Sequence, residues 1–366
     1  MSTIINATTT NGVVIQPDNS GSLVLQTNNG ATALTISTAQ NATFAGTVAM
    51  SSSFLRNRII NGAFQIAQRA TSATITAGST IAAGYSTVDR WYAYSTGANV
   101  TAAQVAGAGN NKNLFQITGA ASVTAVGIGQ RIEQLNSYDM AGQTATLSVN
   151  IANSLLTSVT WTAFYANTAD TFGTLASPTR TSIATGTFTV TSTLTNYNAQ
   201  ISIPAAATTG IEIVFTVGAQ TSGTWQLGNV QLEIGTLATP FERRLYNQEL
   251  ANCQRYYFQT GKESADNNFA SGFSGNASIQ YVNYYLKQKM RAIPTLSTSG
   301  TATHYQIFIG TGSVILSSVP VLDAANSTTD LVLITNTTSG GLTVGQGGIF
   351  RANNSTAAFL GFNAEL

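Results

Sequence analysis

The side chains best suited to chemistry in this sequence are aromatic rings that carry a polar handle. Trp91-Tyr92-Ala93-Tyr94 is one cluster, Trp161 with Tyr165 a second, and Tyr281-Val282-Asn283-Tyr284-Tyr285 the densest. Such rings stack on the apolar faces of sugars, while nearby Asn, Gln and Thr side chains bond the hydroxyls. Successive side chains of a strand point to opposite faces, so Trp91 and Ala93 share one face and Tyr92 and Tyr94 the other. One of those faces belongs to a core, and at most half of these rings can meet a ligand. The expected glycan-binding set is therefore drawn from Trp91, Tyr92, Tyr94, Trp161, Tyr165, Tyr281, Tyr284 and Tyr285. Core packing is the commoner use of an aromatic residue on a sandwich strand.

Catalytic signals are sparse. Cleavage of a glycan needs two carboxyl groups in one cleft. Glu212 and Glu233, both on expected strands, are the available pair. The acids of Asp89-Arg90, of Arg131 with Glu133 and of Glu242-Arg243 sit next to arginines in sequence and read as structural ion pairs. His304 is the single histidine and Cys253 the single cysteine, so two-histidine metal motifs, cysteine cages and an internal disulfide are excluded. Gly127-Ile128-Gly129 and Gly345-Gln346-Gly347-Gly348 lack the further residues of nucleotide fingerprints and read as turns or bulges. No enzymatic activity is expected.

The elements that must position these residues are strands. The 366 residues include 15 Lys or Arg and 14 Asp or Glu, 8% charged, against roughly 25% in an average soluble domain. A net charge of +1 gives no basic footprint for nucleic acid. No apolar run approaches the roughly 18 residues of a membrane span, and Met1-Ser2-Thr3-Ile4-Ile5-Asn6 does not read as a secretory leader. The fold class expected is all-β. Residues 1–55 read as a β meander, with apolar runs at Val13–Ile15, Leu23–Leu25, Leu34–Ile36 and Phe44–Val48, separated by turns such as Asn28-Asn29-Gly30. So short a segment buries too little surface alone and is expected to complete its core against copies of itself, intertwined in a trimer, or against another protein. Residues 56–243 read as a jelly-roll β-sandwich, with strands near Ala63–Ala67, Arg90–Tyr94, Leu114–Thr118, Ala145–Ile151, Ser158–Tyr165, Gly186–Thr193, Ala199–Ile203, Glu212–Val217 and Gly228–Ile234. Residues 258–366 read as a C-terminal β-sandwich. Between them, a helical pattern over 241–257 supplies a connecting helix at 244–257. Its apolar stripe is Tyr246, Leu250, Cys253 and Tyr257. That stripe suits either docking on a neighbouring domain or a short seam on a trimer axis, and two heptads do not separate these.

Several stretches resemble bacteriophage tail-fibre and receptor-binding proteins. They are Gly21–Thr27 and Ala42–Val48; Asn57-Arg58-Ile59-Ile60-Asn61-Gly62-Ala63-Phe64; Asp89-Arg90-Trp91; Gly129-Gln130-Arg131-Ile132-Glu133-Gln134; Gly228–Gly235; Thr239-Pro240-Phe241-Glu242; Cys253-Gln254-Arg255-Tyr256-Tyr257; and Lys289–Thr295. The resemblance implies a homotrimer on the virion, anchored through its N-terminus to a tail, baseplate or capsid protein. It implies distal β domains that touch a host surface polysaccharide, with residues 258–366 as the receptor-binding tip, and no membrane insertion. It also implies a structural calcium near the first and last jelly-roll strands, where Asn61 and Glu233 are the matching positions; no other cofactor is expected. The leading expectation is thus a structural fibre protein that attaches the virion to a cell-surface glycan. Two alternatives stay open: an architectural head fibre, decoration or adaptor protein without glycan binding, and a glycan hydrolase using Glu212 and Glu233.

Overall fold

A computed structural model describes residues 23–27, 31–39, 41–45, 55–78, 84–310 and 312–366. The chain divides into two units, Met1–Ser53 and Phe54–Leu366. In the first, β1 (Leu23–Thr27), β2 (Ala31–Ile36) and β3 (Ala42–Phe44) form an antiparallel meander. The expected Val13–Ile15 strand and the Asn28-Asn29-Gly30 turn lie outside the described residues. Val24, Leu25 and Phe44 of the meander are 43%, 42% and 50% exposed, so it leaves apolar side chains open.

The second unit begins with a two-sheet sandwich. Its strands are β4 (Ser72–Ile75), β5 (Tyr92–Thr96), β6 (Val100–Ala106), β7 (Asn113–Thr118), β8 (Ala125–Ile132), β9 (Thr144–Asn153), β10 (Ser158–Ala166), β11 (Arg180–Thr189), β12 (Thr195–Ser202), β13 (Ile211–Val217) and β14 (Thr224–Ile234). One sheet runs β11-β10-β13-β8-β5, the other β12-β9-β14-β7-β6-β4. Alternation decides the layers: Ile211, Ile213, Phe215 and Val217 of β13 face the core, with Leu147, Val149 and Ile151 of β9 opposite. This is the all-β jelly-roll sandwich expected from composition and periodicity.

Local differences from expectation have physical causes. Gly127-Ile128-Gly129 is not a turn but the middle of β8. Tyr94 and Tyr92 on β5 stand directly opposite the two glycines. A Cβ on Gly127 would lie 2.2 Å from the Tyr94 ring, and one on Gly129 2.3 Å from the Tyr92 hydroxyl. Each glycine thus makes room for a ring laid across its strand. The expected strand at Ala63–Ala67 is a loop, because Asn61 and Phe64 take φ of +57° and +54°. Asn61 fixes that loop by bonding the Ile66 backbone in both directions, at 2.8 and 3.1 Å.

The helix, α1 (Tyr246–Gln254), is shorter than expected at both ends. Residues 241–245 form an extended strap instead. Glu242 accepts a bond from the Asn57 amide at 2.7 Å and donates its own N–H to Gln231 at 2.7 Å, while Arg244 reaches the Ile59 carbonyl at 3.1 Å. At the other end Tyr257 opens β15. Cys253 and Tyr257 are buried within the chain and Tyr246 is exposed, so the four stripe residues do not form one helical face. No described helix is long and apolar enough to cross a membrane.

The remaining strands are β15 (Tyr257–Gly261), β16 (Asn268–Ser274), β17 (Ile279–Tyr285), β18 (Thr295–Thr298), β19 (Tyr305–Ile309), β20 (Gly312–Ile315), β21 (Val321–Asp323), β22 (Leu331–Thr337), β23 (Gly347–Ala352) and β24 (Phe359–Asn363). They form a three-stranded sheet, β15-β24-β18, and a seven-stranded sheet, β20-β19-β23-β16-β17-β22-β21. A bridge from Leu316 to Thr338 and a 2.9 Å bond from the Ser317 amide to the Thr337 carbonyl curl the larger sheet back on itself. Phe258, Leu360 and Phe362 of the smaller sheet share a core with Val282, Ile307, Ile334 and Phe350 of the larger.

Candidate functional site

The six-stranded sheet of the jelly roll carries a row of amides on its outer face. In β9, Leu147, Val149 and Ile151 turn inward, which turns Ser148 and Asn150 outward. Register places Asn196 of β12 and Gly228 of β14 on either side of Asn150. Asn196 Nδ2 donates to Asn150 Oδ1 at 2.8 Å, and Asn150 Nδ2 donates to Asn111 Oδ1 at 2.9 Å. The intervening Gly228 allows this reach, because a Cβ there would lie 2.5 Å from Asn111 Oδ1. Just beyond Gly228 the ladder is broken by a bulge, in which Asn229 takes φ of +43°. Asn229 Nδ2 donates to the Asn110 carbonyl at 3.1 Å.

The strap after β14 closes the other side. Thr239 is held by Glu233, which accepts from the Thr239 amide at 2.9 Å and its hydroxyl at 2.6 Å. This sets Pro240, Phe241 and Arg243 across from the amides. The result is a cleft of about 580 Å³ whose lining includes Ser148, Asn150, Asn196, Asn229, Phe241 and Arg243. No carboxylate lines it. Amides that donate and accept, a serine hydroxyl and one phenyl ring suit a ligand with many neutral hydroxyls. Nothing in the sequence alone singles these residues out as a site. The available signal is the polar-apolar-polar pattern of Ser148-Val149-Asn150 and Asn196-Tyr197-Asn198, which gives a face but not a meeting point.

The rings expected to bind glycan go elsewhere, and none lines the cleft. Trp91 and Tyr92 are both 0% exposed, and Trp161 is buried in the sandwich core over Gly186, which removes these three from the ligand-facing set. Trp91 Nε1 donates to the Asn61 carbonyl at 3.1 Å, and Tyr165 packs against the core. Tyr94 is half-buried over Gly127. Tyr284 belongs to the C-terminal core, stacked on Phe362 at 5.0 Å. Tyr281 lies beside the exposed Phe273 with ring centroids 5.8 Å apart, and Tyr285 is 76% exposed. These two remain open to a ligand, on the outside of the C-terminal domain.

The acids are structural, although their partners are not their sequence neighbours. Tyr92 donates to Glu212 at 2.7 Å, Arg131 Nε bonds the same oxygen at 2.9 Å, and Arg180 pairs with the other oxygen. Burial and the neighbouring Glu212 charge push the Tyr92 phenol well up. Glu133 pairs with Arg255 at 2.7 Å, and Asp89 lies 3.9 Å from Arg69. Burial pushes the Asp89 carboxyl up to about 6 despite that guanidinium. Glu212 and Glu233 stand on different sheets, each engaged by arginine, and do not share a cleft.

The calcium positions fit poorly as a cage. Asn61 Oδ1 accepts from the Ile66 amide, and its Nδ2 donates to the Ile66 and Asp89 carbonyls. Glu233 faces Thr239, Gln231 and, at 3.3 Å, the Arg56 guanidinium. Donor groups already occupy the oxygens a cation would need. Among the described residues no group of three His, Cys, Asp or Glu side chains converges.

No protein-family model matches the chain, and no curated protein matches it. Solved structures are similar to parts of the chain, among them the following three. A CBM4 has a TM-score of 0.32 at 15% identity, over 48% of this chain and 98% of that one. The enzymatically active domain of tailspike protein 4 from Bacteriophage CBA120 has a TM-score of 0.31 at 19% identity, over 49% of this chain and 21% of that one. A family 11 carbohydrate-binding module from Clostridium thermocellum, in complex with a beta-1,3-1,4-mixed-linked tetrasaccharide, has a TM-score of 0.29 at 15% identity, over 43% and 96%. Likenesses this loose assign neither a family nor a ligand.

Proposed function

We propose that this chain is a structural, glycan-binding fibre protein of a phage virion, and that the amide cleft on the six-stranded sheet holds the saccharide. The observation that carries this reading is the lining of that cleft: linked Asn side chains, a serine and a phenyl ring, without a carboxylate. Pre-linked amides lose little freedom on binding, which favours recognition of hydroxyls. The fibre-like sequence motifs support the virion setting. The open apolar side chains of the meander support assembly as a homotrimer, whose three equal sites would gain by multivalency. In this reading the N-terminal region meets a tail, baseplate or capsid protein, and the host surface polysaccharide is the ligand.

The test is binding of the soluble full chain to a glycan array and to host cells. Saturable saccharide binding that weakens in Asn196→Ala supports the reading. Absence of binding to any saccharide overturns it and favours a purely architectural role.

A further inference from the structure

We infer that a second cleft, between α1 and the turn Gln134–Asn136, is the surface that meets another copy of this chain; the inference rests on the homotrimer reading above and places its contact. This cleft is about 600 Å³ and shares no lining residue with the amide cleft. Gln248, Asn252 and Arg255, at i, i+4 and i+7 on the helix, form one wall. Leu135 and Asn136 stand on the other, and Leu55 completes the lining. Leu55 and Leu135 are 62% and 66% exposed, and Leu245, one turn before Gln248, is 80% exposed. Tyr138 and Tyr246, beside Asp139 and Leu245 in the chain, are also exposed. Apolar side chains gathered open around one cleft mark an interaction surface.

The charges specify what kind of partner. Each guanidinium of the lining is already paired: Arg58 with Asp139 at 2.5 Å, Arg244 with Glu249 at 3.4 Å and Arg255 with Glu133 at 2.7 Å. The cleft therefore holds no spare charge to draw an ion or a charged partner. The Gln248 and Asn252 side chains, by contrast, make no hydrogen bond among the described residues. Open leucines, paired charges and free amides complement a surface that is itself apolar and uncharged. With 8% charged residues, this chain is such a surface. Connectivity points to the same partner. Ser53 ends the first unit and Phe54 begins the second, so Leu55 follows Ser53 by two residues, at most about 7 Å of chain. Three meanders joined in one trimer thus carry three copies of Leu55, and the clefts they line, toward one another. Threefold symmetry makes the contact heterologous, so one wall of each cleft meets the opposite wall of the next.

The experiment is sedimentation of the full chain across a dilution series in graded urea, together with hydroxyl-radical labelling of the assembled form. Leu135→Asp combined with Leu245→Asp changes two exposed side chains and leaves the core intact. It should move the midpoint of trimer dissociation to a roughly tenfold higher concentration or beyond. Val344→Asp, at another exposed apolar position in the C-terminal domain, should leave that midpoint unchanged. In the wild-type trimer Tyr138 and Tyr246 should label much more slowly than Tyr285. A wild-type trimer whose midpoint is the same in the double variant overturns this inference and leaves the trimer reading standing. So does labelling of Tyr138 and Tyr246 as fast as Tyr285, or protection of both that persists in the dissociated monomer. A wild-type chain that sediments only at 38.1 kDa overturns both.

Discussion

Asn150 is the centre of the amide row, accepting from Asn196 at 2.8 Å and donating to Asn111 at 2.9 Å. Asn150→Ala removes both bonds. Each is worth about 0.5–1.5 kcal/mol net, and the freed amides of an open cleft can turn to water. The stability cost should therefore fall near the low end, about 1 kcal/mol, or roughly 2–4 °C in Tm. The effect on binding should be larger, because Asn111 and Asn196 lose their orientation as well as the direct contact. A loss of about 1.4–2.8 kcal/mol corresponds to ten- to hundredfold in Kd. The control is Gln116→Ala, which breaks a similar 2.7 Å bond to Gln226 on the same sheet face but away from the cleft. Thermal melts and saccharide titrations on both variants separate the two effects. Wild-type affinity in Asn150→Ala, or an equal loss in Gln116→Ala, would refute the reasoning.

Gly129→Ala drives a methyl group to within 2.3 Å of the buried Tyr92 hydroxyl and disturbs its bond to Glu212. Urea unfolding should show a loss of about 2–4 kcal/mol, and an unchanged midpoint would contradict the packing of rings over glycines. Asp89 has its carboxyl raised from 3.8 to about 6, so the folded state holds that proton more tightly than the unfolded chain. Its contribution is fully present below pH ~4 and is lost as pH rises through 6, a difference of about 3 kcal/mol. Asp89→Asn should remove that fall when the two proteins are compared between pH 4 and 6, and parallel curves would count against it. Sedimentation or light scattering of the full chain should return the mass of a trimer; a single 38.1 kDa species would sink the assembly reading of residues 1–55.

Fold class was largely legible in the sequence. Stretches such as Glu212–Val217 and Ala145–Ile151 alternate cleanly because one face is core, and they form β13 and β9. Three features were hidden for a common reason. The Gly127 and Gly129 pair looks like punctuation until Tyr92 and Tyr94 are known to lie opposite on β5. The helical pattern over 241–257 is cut short by tertiary bonds from Glu242 and Arg244, which no local propensity reveals. Buried acids find arginines far along the chain, such as Glu133 with Arg255, rather than beside them. The cleft is the extreme case: Asn111, Asn150, Asn196 and Asn229 come from four separate stretches and meet only through strand register. Conspicuous aromatic residues drew attention instead, and Trp91, Tyr92 and Trp161 proved to be core, the ordinary place for large rings in a sandwich.

The most direct test of the central claim is a crystal structure of the full chain soaked with an oligosaccharide that it binds in solution. Density for the sugar between Asn150, Asn196 and Phe241 is the predicted result. Density at another surface, such as over Tyr281 and Phe273, with the amide cleft filled only by water, would contradict it.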